Sequence, residues 1–326
     1  MSNSTRAVII ASRGSALALA QANMVIAQCR VAFPNRTFDL KIIKTTGDKL
    51  QAFAPTGSVP EGGKGLFTKE LEVALLSGEA DLAVHSLKDL PTELPPGLAL
   101  AAVTKRADVR DVLIYRDGAS ITCIGRGMAT GSTVKDLPQS AVVATSSTRR
   151  QAQLLAMRPD LKTVPIRGNV GTRLGKLAAN AELDALVLAA AGFQRLGFRL
   201  GDSGKISGEG VPEGLLGVPL SPEEMLPCVG QAALGIETRA NDEFVAEVCK
   251  FLDDPATHGC VLAERSFLSA MGGGCLSPVG AYGEILEGRL RLRAVSFQGK
   301  QRRAGEVTGM AEEAVELGRA LAERLR

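Results

Sequence analysis

Residues 68–91 read TKELEVALLSGEADLAVHSLKDLP, and the architecture follows from this stretch. Leu71, Ala74 and Leu75 recur at helical spacing in its first half. A helix that starts near Thr68 stops at Gly78, because glycine takes the left-handed conformation that ends helices. Asp81 to His85 is then a short apolar run of strand length. A helix that leads directly into a strand is half of an alternating α/β pattern.

The same alternation extends in both directions. Strands are expected at Ala7 to Ser12, Phe38 to Ile43, Asp81 to His85, Leu98 to Val103 and Val112 to Tyr115. More follow at Ala141 to Ala144, Lys162 to Ile166 and Ala185 to Ala189. After the first strand, Leu17, Ala20, Met24, Ala27 and Val31 mark one helical face. Alternating strands and helices imply layered α/β units with largely parallel sheets. From about Pro255 the pattern changes. A helix (Ala256 to Met271) leads into Gly272-Gly273-Gly274-Cys275, a strand-like run covers Arg289 to Phe297, and a last helix buries Ala314, Leu317, Leu321 and Leu325. That reads as a small α+β domain.

A chain of 326 residues is too long for one ordinary core. With 38 basic and 35 acidic side chains the net charge is +3, so neither nucleic acid nor a membrane is expected as a partner. Two histidines exclude a multi-His metal site, and no metal is expected. The six cysteines contain no C-x-x-C pair and are too sparse for a disulfide scaffold, which points to free thiols in a reducing compartment. Arg13 interrupts the apolar start, no run reaches membrane-span length, and a cytoplasmic monomer is the expectation.

Three stretches read as loops: Gln51 to Gly65, Asp117 to Gln139 and Leu200 to Pro222. The first has two prolines and no apolar period, and its place within one domain suggests a lid.

Cationic residues collect just past the strands. Arg13 follows the first strand, and Lys88 and Asp89 follow Asp81 to His85. Arg149 and Arg150 come after Thr145-Ser146-Ser147, Arg167 and Arg173 after Lys162 to Ile166, and Arg195 after Ala185 to Ala189. Open α/β sheets bind ligands beyond the carboxyl ends of their strands, and arginine's planar fork matches carboxylate or phosphate. The set suggests a cleft for a compound with several negative groups; solvated surface charge is the plainer alternative. Asp89 suits either an acid that binds a cation and moves protons, or a turn aspartate. His85 reads as a packed or hydrogen-bonded strand-end residue. Cys275, after three glycines, suits either a nucleophile or covalent anchor, or a small apolar residue filling a turn. Phosphate loops fail: a Walker A pattern around Gly63-Lys64 would need glycine at Ser58 and a hydroxyl residue at Gly65.

Taken together the motifs resemble the porphobilinogen deaminase family, also called hydroxymethylbilane synthases. The matching segments run in family order and cover nearly the whole chain. They are Ser12 to Ala18, Thr46-Gly47-Asp48, Gly63 to Leu71, His85 to Pro91, Thr145 to Gln151, Arg167 to Arg173, Ala191 to Gly197 and Gly273 to Gly280. The resemblance implies a transferase that joins four porphobilinogen units head to tail, with loss of ammonia, into hydroxymethylbilane. It implies a dipyrromethane cofactor held by a thioether to Cys275. Each pyrrole bears an acetate and a propionate, and the matching cations would bind them. By this resemblance Lys88, Ser86, Thr145, Ser146, Ser147, Arg149, Arg150, Arg167 and Arg173 hold the cofactor. Arg13, Ser15, Arg149, Arg150, Arg195 and Lys64 contact substrate. Asp89 is the catalytic acid, holding pyrrole N–H groups and stabilising the cationic azafulvene formed as ammonia leaves.

The implied fold has two periplasmic-binding-protein-like α/β domains and a small C-terminal α+β domain. The implied boundaries are 1–105 with 230–250, then 106–229, then 255–326 carrying the cofactor cysteine. Gln51 to Gly65 matches the family's mobile active-site loop. Two positions depart from the pattern: Ala232 stands for a usual glycine, and Val109 for a usual proline. Two rival readings remain at this stage. A ligand-binding module would share the two-domain cleft, and a phosphate-ester enzyme would use the same arginines.

Overall fold

The computed structural model describes residues 6–48, 67–120, 124–274, 276–299 and 301–326. The chain opens with β1 (Val8–Arg13), α1 (Ala16–Ala32), β2 (Phe38–Ile43), α2 (Lys69–Leu76), β3 (Leu82–Ser86) and β4 (Leu98–Val103). It continues with β5 (Asp111–Arg116), β6 (Val142–Ala144), α3 (Thr148–Met157), β7 (Lys162–Val164), α4 (Val170–Ala179), β8 (Ala185–Ala189) and α5 (Ala190–Arg195). Next come β9 (Arg199–Leu200), β10 (Ile206–Ser207), β11 (Leu215–Leu220), β12 (Leu234–Arg239), α6 (Ala246–Leu252) and α7 (Pro255–Ala270). The chain ends with β13 (Val279–Leu286), β14 (Arg289–Ser296), β15 (Arg303–Gly309) and α8 (Ala314–Leu325).

Two five-stranded sheets carry the α/β part, in the orders β2-β1-β3-β12-β4 and β11-β5-β8-β6-β7. A three-stranded antiparallel sheet, β13-β14-β15, packs on α7 and α8. Helices cover both faces of each large sheet. Val112 and Ile114 of β5 face one core with Leu174 and Leu177, while Leu113 and Tyr115 face the other with Leu154. Burial on both faces is why β5 reads as a continuous apolar run rather than an alternating one.

The two large sheets are mixed, not largely parallel: half of their strand pairings are antiparallel. The antiparallel pairs are made by β12, β5 and β11. The chain leaves the first sheet after β4, builds the second, and returns, so β12 enters between β3 and β4 against their direction.

Two further expectations are corrected. Leu200 to Pro222 is not a plain loop, because β11 pairs with β5 over six residues. Its Gly217 and Pro219 hid the strand, yet both are tolerated at a sheet edge, where proline's missing N–H faces no partner. In α1 the buried face is Gln21, Ala22, Val25, Ile26 and Cys29, whereas Met24 and Val31 are exposed. That helix is apolar on more than one side, so two faces satisfy helical spacing. The bulkier Val25 and Ile26 are the pair that packs on β1 and β3. By contrast α2 has its expected buried residues, with Gly78 at φ +75° beyond its end.

The crossing segments are tightly tied. Glu264 on α7 is fully buried and accepts from Arg106 Nη1 at 2.5 Å, Gly230 N at 2.7 Å and Gly283 N at 2.8 Å. One carboxylate thus joins both crossing strands of chain to the C-terminal sheet. Hydrogen bonds satisfying a buried charge are what make such a group tolerable.

Candidate active site

The Lys88–Asp89 pair sits on a 3₁₀ turn, Leu87–Asp89, directly after β3. β1 and β3 are parallel neighbours, so Arg13 at the end of β1 lies at the same sheet end. The turn is held low over the sheet by two glycines. A side chain at Gly235 of β12 would meet Leu87 Cδ1 at 2.7 Å, and one at Gly230 would crowd the Lys88 amide at 3.3 Å. His85 is buried, with Nε2 2.8 Å from Glu237 Oε2, in keeping with a hydrogen-bonded strand-end residue.

Asp89 is exposed at the tip of this turn. Lys88 is surrounded by protein on most sides, though part of its surface stays accessible. Desolvation pushes its ammonium pKa down, opposed by Asp89, reinforced by Arg150, and opposed again by Cys228 and Asp111. Those causes also map the neighbourhood: residues from the first sheet, the second sheet and the returning segment converge on Lys88.

On the second sheet the expected cations follow β6, β7 and β8, which are parallel. Ser147 caps α3, accepting from the Arg150 amide. Arg149 and Arg150 are 3% and 7% exposed, which rules out solvated surface charge for this pair. Both converge on Asp111 at the start of β5. Arg149 Nη2 donates to Oδ2 and Arg150 Nη2 to Oδ1, each at 2.7 Å. Gln231 Nε2 adds a third donor at 3.0 Å. These cations hold the Asp111 carboxyl far below the usual carboxylate range despite its complete burial. Arg149 Nη1 also donates to the Leu226 carbonyl and Arg150 Nη1 to that of Val187. Two arginines around one acid leave a net positive charge in a desolvated place.

Arg173 is half-buried, donates from Nε to the Gly168 carbonyl at 2.7 Å, and has its pKa lowered by burial and then by Arg150. Arg195, at the end of α5, donates from Nη2 to the Ala232 carbonyl at 2.5 Å, and burial lowers its pKa to about 10. Arg167 is exposed, and its carbonyl accepts from Lys176 Nζ. Arg13 is paired with Asp48 at 2.5 Å, and its guanidinium lies over the Phe67 ring at 4.2 Å.

The hydroxyl residues are engaged locally. Thr145 Oγ1 accepts from Ser147 N, Ser146 Oγ exchanges hydrogen bonds with Ile166, Ser86 Oγ bonds Gln21, and Ser15 caps α1. They shape the strand ends that present the cations. Lys64 and Cys275, with the expected lid at Gln51 to Gly65, lie outside the described residues.

The structure therefore brings Lys88, Asp89, Arg149, Arg150 and Arg173 together and sets Arg195 at the crossover. Asp111 and Gln231 were not singled out in the sequence. The available signal for Asp111 was a lone acid directly before the apolar run Val112 to Tyr115, since a buried acid needs cations around it. Among the described residues five buried arginine Nε–H groups have no hydrogen-bond partner, those of Arg149, Arg150 and Arg195 here and those of Arg116 and Arg293 elsewhere. Buried donors of this kind suit acceptors brought in by a ligand, and carboxylates match arginine best. Among the described residues no group of three or more His, Cys, Asp or Glu could hold a metal ion.

Comparison with known proteins agrees with this chemistry. Residues 8–247 match the family described as porphobilinogen deaminase, dipyromethane cofactor binding domain. Residues 258–326 match the porphobilinogen deaminase C-terminal domain. The chain is 45% identical over 322 residues to a porphobilinogen deaminase of Desulforudis audaxviator, covering 98% of this chain and 94% of that protein. It is 44% identical to one of Geotalea uraniireducens, covering 97% and 90%, and 43% identical to one of Thermus thermophilus, covering 97% and 94%. From the strand-end cations, the acid at the tip of the turn and these full-length matches, the chain belongs to the porphobilinogen deaminase family.

Proposed function

We propose that this enzyme joins four porphobilinogen molecules into hydroxymethylbilane, releasing one ammonia per unit, on a dipyrromethane primer. The observation that carries the reading is the placement of an exposed Asp89 beside Lys88, opposite a buried arginine group whose Nε–H donors lack partners. A substrate with two carboxylates per ring and a cationic reacting centre needs both kinds of group.

The residues fit the cofactor. Its acetate and propionate groups would meet Lys88, Arg149, Arg150 and Arg173, and the unpartnered Nε–H groups of Arg149 and Arg150 supply directed donors. When bound, dipyrromethane supplies the pyrrole end onto which units are added. Cys275 is the anchor in this reading: a C–S bond to an aminomethyl carbon replaces its C–N bond, and the thiol proton leaves with ammonia. Arg13, Ser15, Arg195 and Lys64, together with Arg149 and Arg150, contact the incoming substrate, while Ser86, Thr145, Ser146, Ser147 and Arg167 complete the cofactor side. Asp89 stabilises positive charge that develops as ammonia departs, and it exchanges the pyrrole proton.

We divide the chain into a first domain of residues 1–105 with 230–250, a second of 106–229 and a third of 255–326. Each of the three sheets has hydrophobic clusters of its own, which supports this division, and a smaller cluster of Leu87, Leu90, Val103, Ala233 and Val261 bridges the first and third domains. Free thiols at Cys29, Cys228, Cys249 and Cys260 support residence in a reducing compartment, which we take to be the cytoplasm, and monomer is the assigned state.

Intact mass of the purified protein tests the reading. It should exceed the sequence mass by the cofactor, Cys275→Ala should remove the excess, and porphobilinogen should be consumed by the loaded protein. An active wild type without added mass contradicts the cofactor assignment. A protein that binds porphobilinogen without consuming it would be a ligand-binding module instead.

A further inference from the structure

Thr148 opens α3, immediately before Arg149 and Arg150. Its Oγ1 donates to the Leu276 carbonyl at 2.7 Å, across 128 residues of sequence. Leu276 is the residue after Cys275. The two ends of this hydrogen bond differ in stiffness. The start of α3 is pinned: Arg149 and Arg150 are clamped on Asp111, and Gln153 exchanges hydrogen bonds with the backbone of Leu226. The other end follows three glycines and is closed by Ser277 N to Gly274 O and Gly274 N to Ser277 Oγ, both at 2.9 Å. Glycine-rich backbone has many accessible conformations, so an outside contact is what selects one.

We propose that Thr148 is a positioning residue that fixes the Cys275 turn against the cationic start of α3. The inference rests on Cys275 being the cofactor anchor. With the hydroxyl bond in place, the backbone that follows Cys275 is held at the start of α3, beside the arginines that take the cofactor's carboxylates. Without it the turn samples other placements, and productive loading needs a search.

Thr148→Val keeps shape and removes the donor; Thr148→Ser keeps the donor. Cofactor-free protein is mixed with porphobilinogen and its mass gain followed in time. Loading by T148V should be about threefold to tenfold slower than wild type, the rate equivalent of one net hydrogen bond, about 0.7–1.4 kcal/mol. T148S should load within about twofold of wild type. Once loaded, T148V should show a lowered kcat with KM nearly unchanged, because Arg149 and Arg150 keep their own clamp on Asp111. Wild-type loading by T148V overturns the inference, as does failure of T148S to restore the rate or a stability loss in T148V large enough to account for slow loading. If wild-type protein gains no mass, the cofactor reading itself fails, which is a separate outcome.

Discussion

Asp111 Oδ2 accepts from Arg149 Nη2 at 2.7 Å with the acid completely buried and the arginine 3% exposed, so a residue of β5 fixes the first turn of α3. Arg150 occupies the other oxygen at the same distance. Asp111→Asn leaves both guanidinium groups buried without a countercharge. The expected loss is about 3–5 kcal/mol of stability, measured by urea unfolding. The sign of the pH dependence follows from the depressed carboxyl pKa. The contribution is fully present above the unfolded value near 4 and is lost as pH falls toward the much lower folded value. The wild type–variant difference should therefore be flat from about pH 5 to 8 and shrink below about pH 4. A loss under 1 kcal/mol would contradict the clamp.

Ala232 has φ +73°, a conformation alanine adopts only under strain. Two donors hold it there: Arg195 Nη2 and the Ala107 amide both reach its carbonyl. Ala232→Gly relieves the left-handed strain, partly offset by a more flexible unfolded chain. The net expectation is a gain of about 0.5–1 kcal/mol in unfolding free energy. A destabilised variant would show that the Ala232 methyl is worth more in packing than its backbone costs.

Asp89 is exposed and accepts no hydrogen bond from the described residues, so the fold does not depend on it. Asp89→Asn should unfold within about 0.5 kcal/mol of wild type, yet turn over porphobilinogen about 10²–10⁴ times more slowly. Near-normal turnover would remove Asp89 from the chemistry.

Lys88 has its pKa lowered chiefly by burial, so it loses its charge at lower pH than an exposed lysine. If it binds a carboxylate, activity falls on the alkaline side as that charge is lost. Lys88→Arg keeps the charge at all accessible pH, so the alkaline limb of the pH–rate profile should move upward. An unmoved limb would assign the fall to another group.

Much of the fold is legible in the chain. The strands at Phe38–Ile43, Leu98–Val103 and Ala185–Ala189 fall where short apolar runs place them, and α2 ends before its glycine. The buried side of α1 and the strand β11 are not legible, for different reasons. In α1 two faces have helical spacing, and only the neighbouring sheet selects Val25 and Ile26. In β11 glycine and proline mask a strand that an edge position tolerates. Motif order likewise identifies which residues gather at the strand ends, but not how each is used. Arg149 and Arg150 read as ligand arginines; the structure adds that each already spends both Nη groups on the protein and keeps a buried Nε–H without a partner.

Local patterns suffice for the α/β alternation, the small C-terminal unit and the family, because spacing and glycine punctuation act over a few residues. Sheet order, the return of β12 between β3 and β4, and the meeting of Asp111, Arg149, Arg150 and Gln231 come from contacts between residues far apart in the chain. The cost of burying one acid is settled by which cations the fold brings to it, and that depends on tertiary packing rather than on its neighbours in sequence.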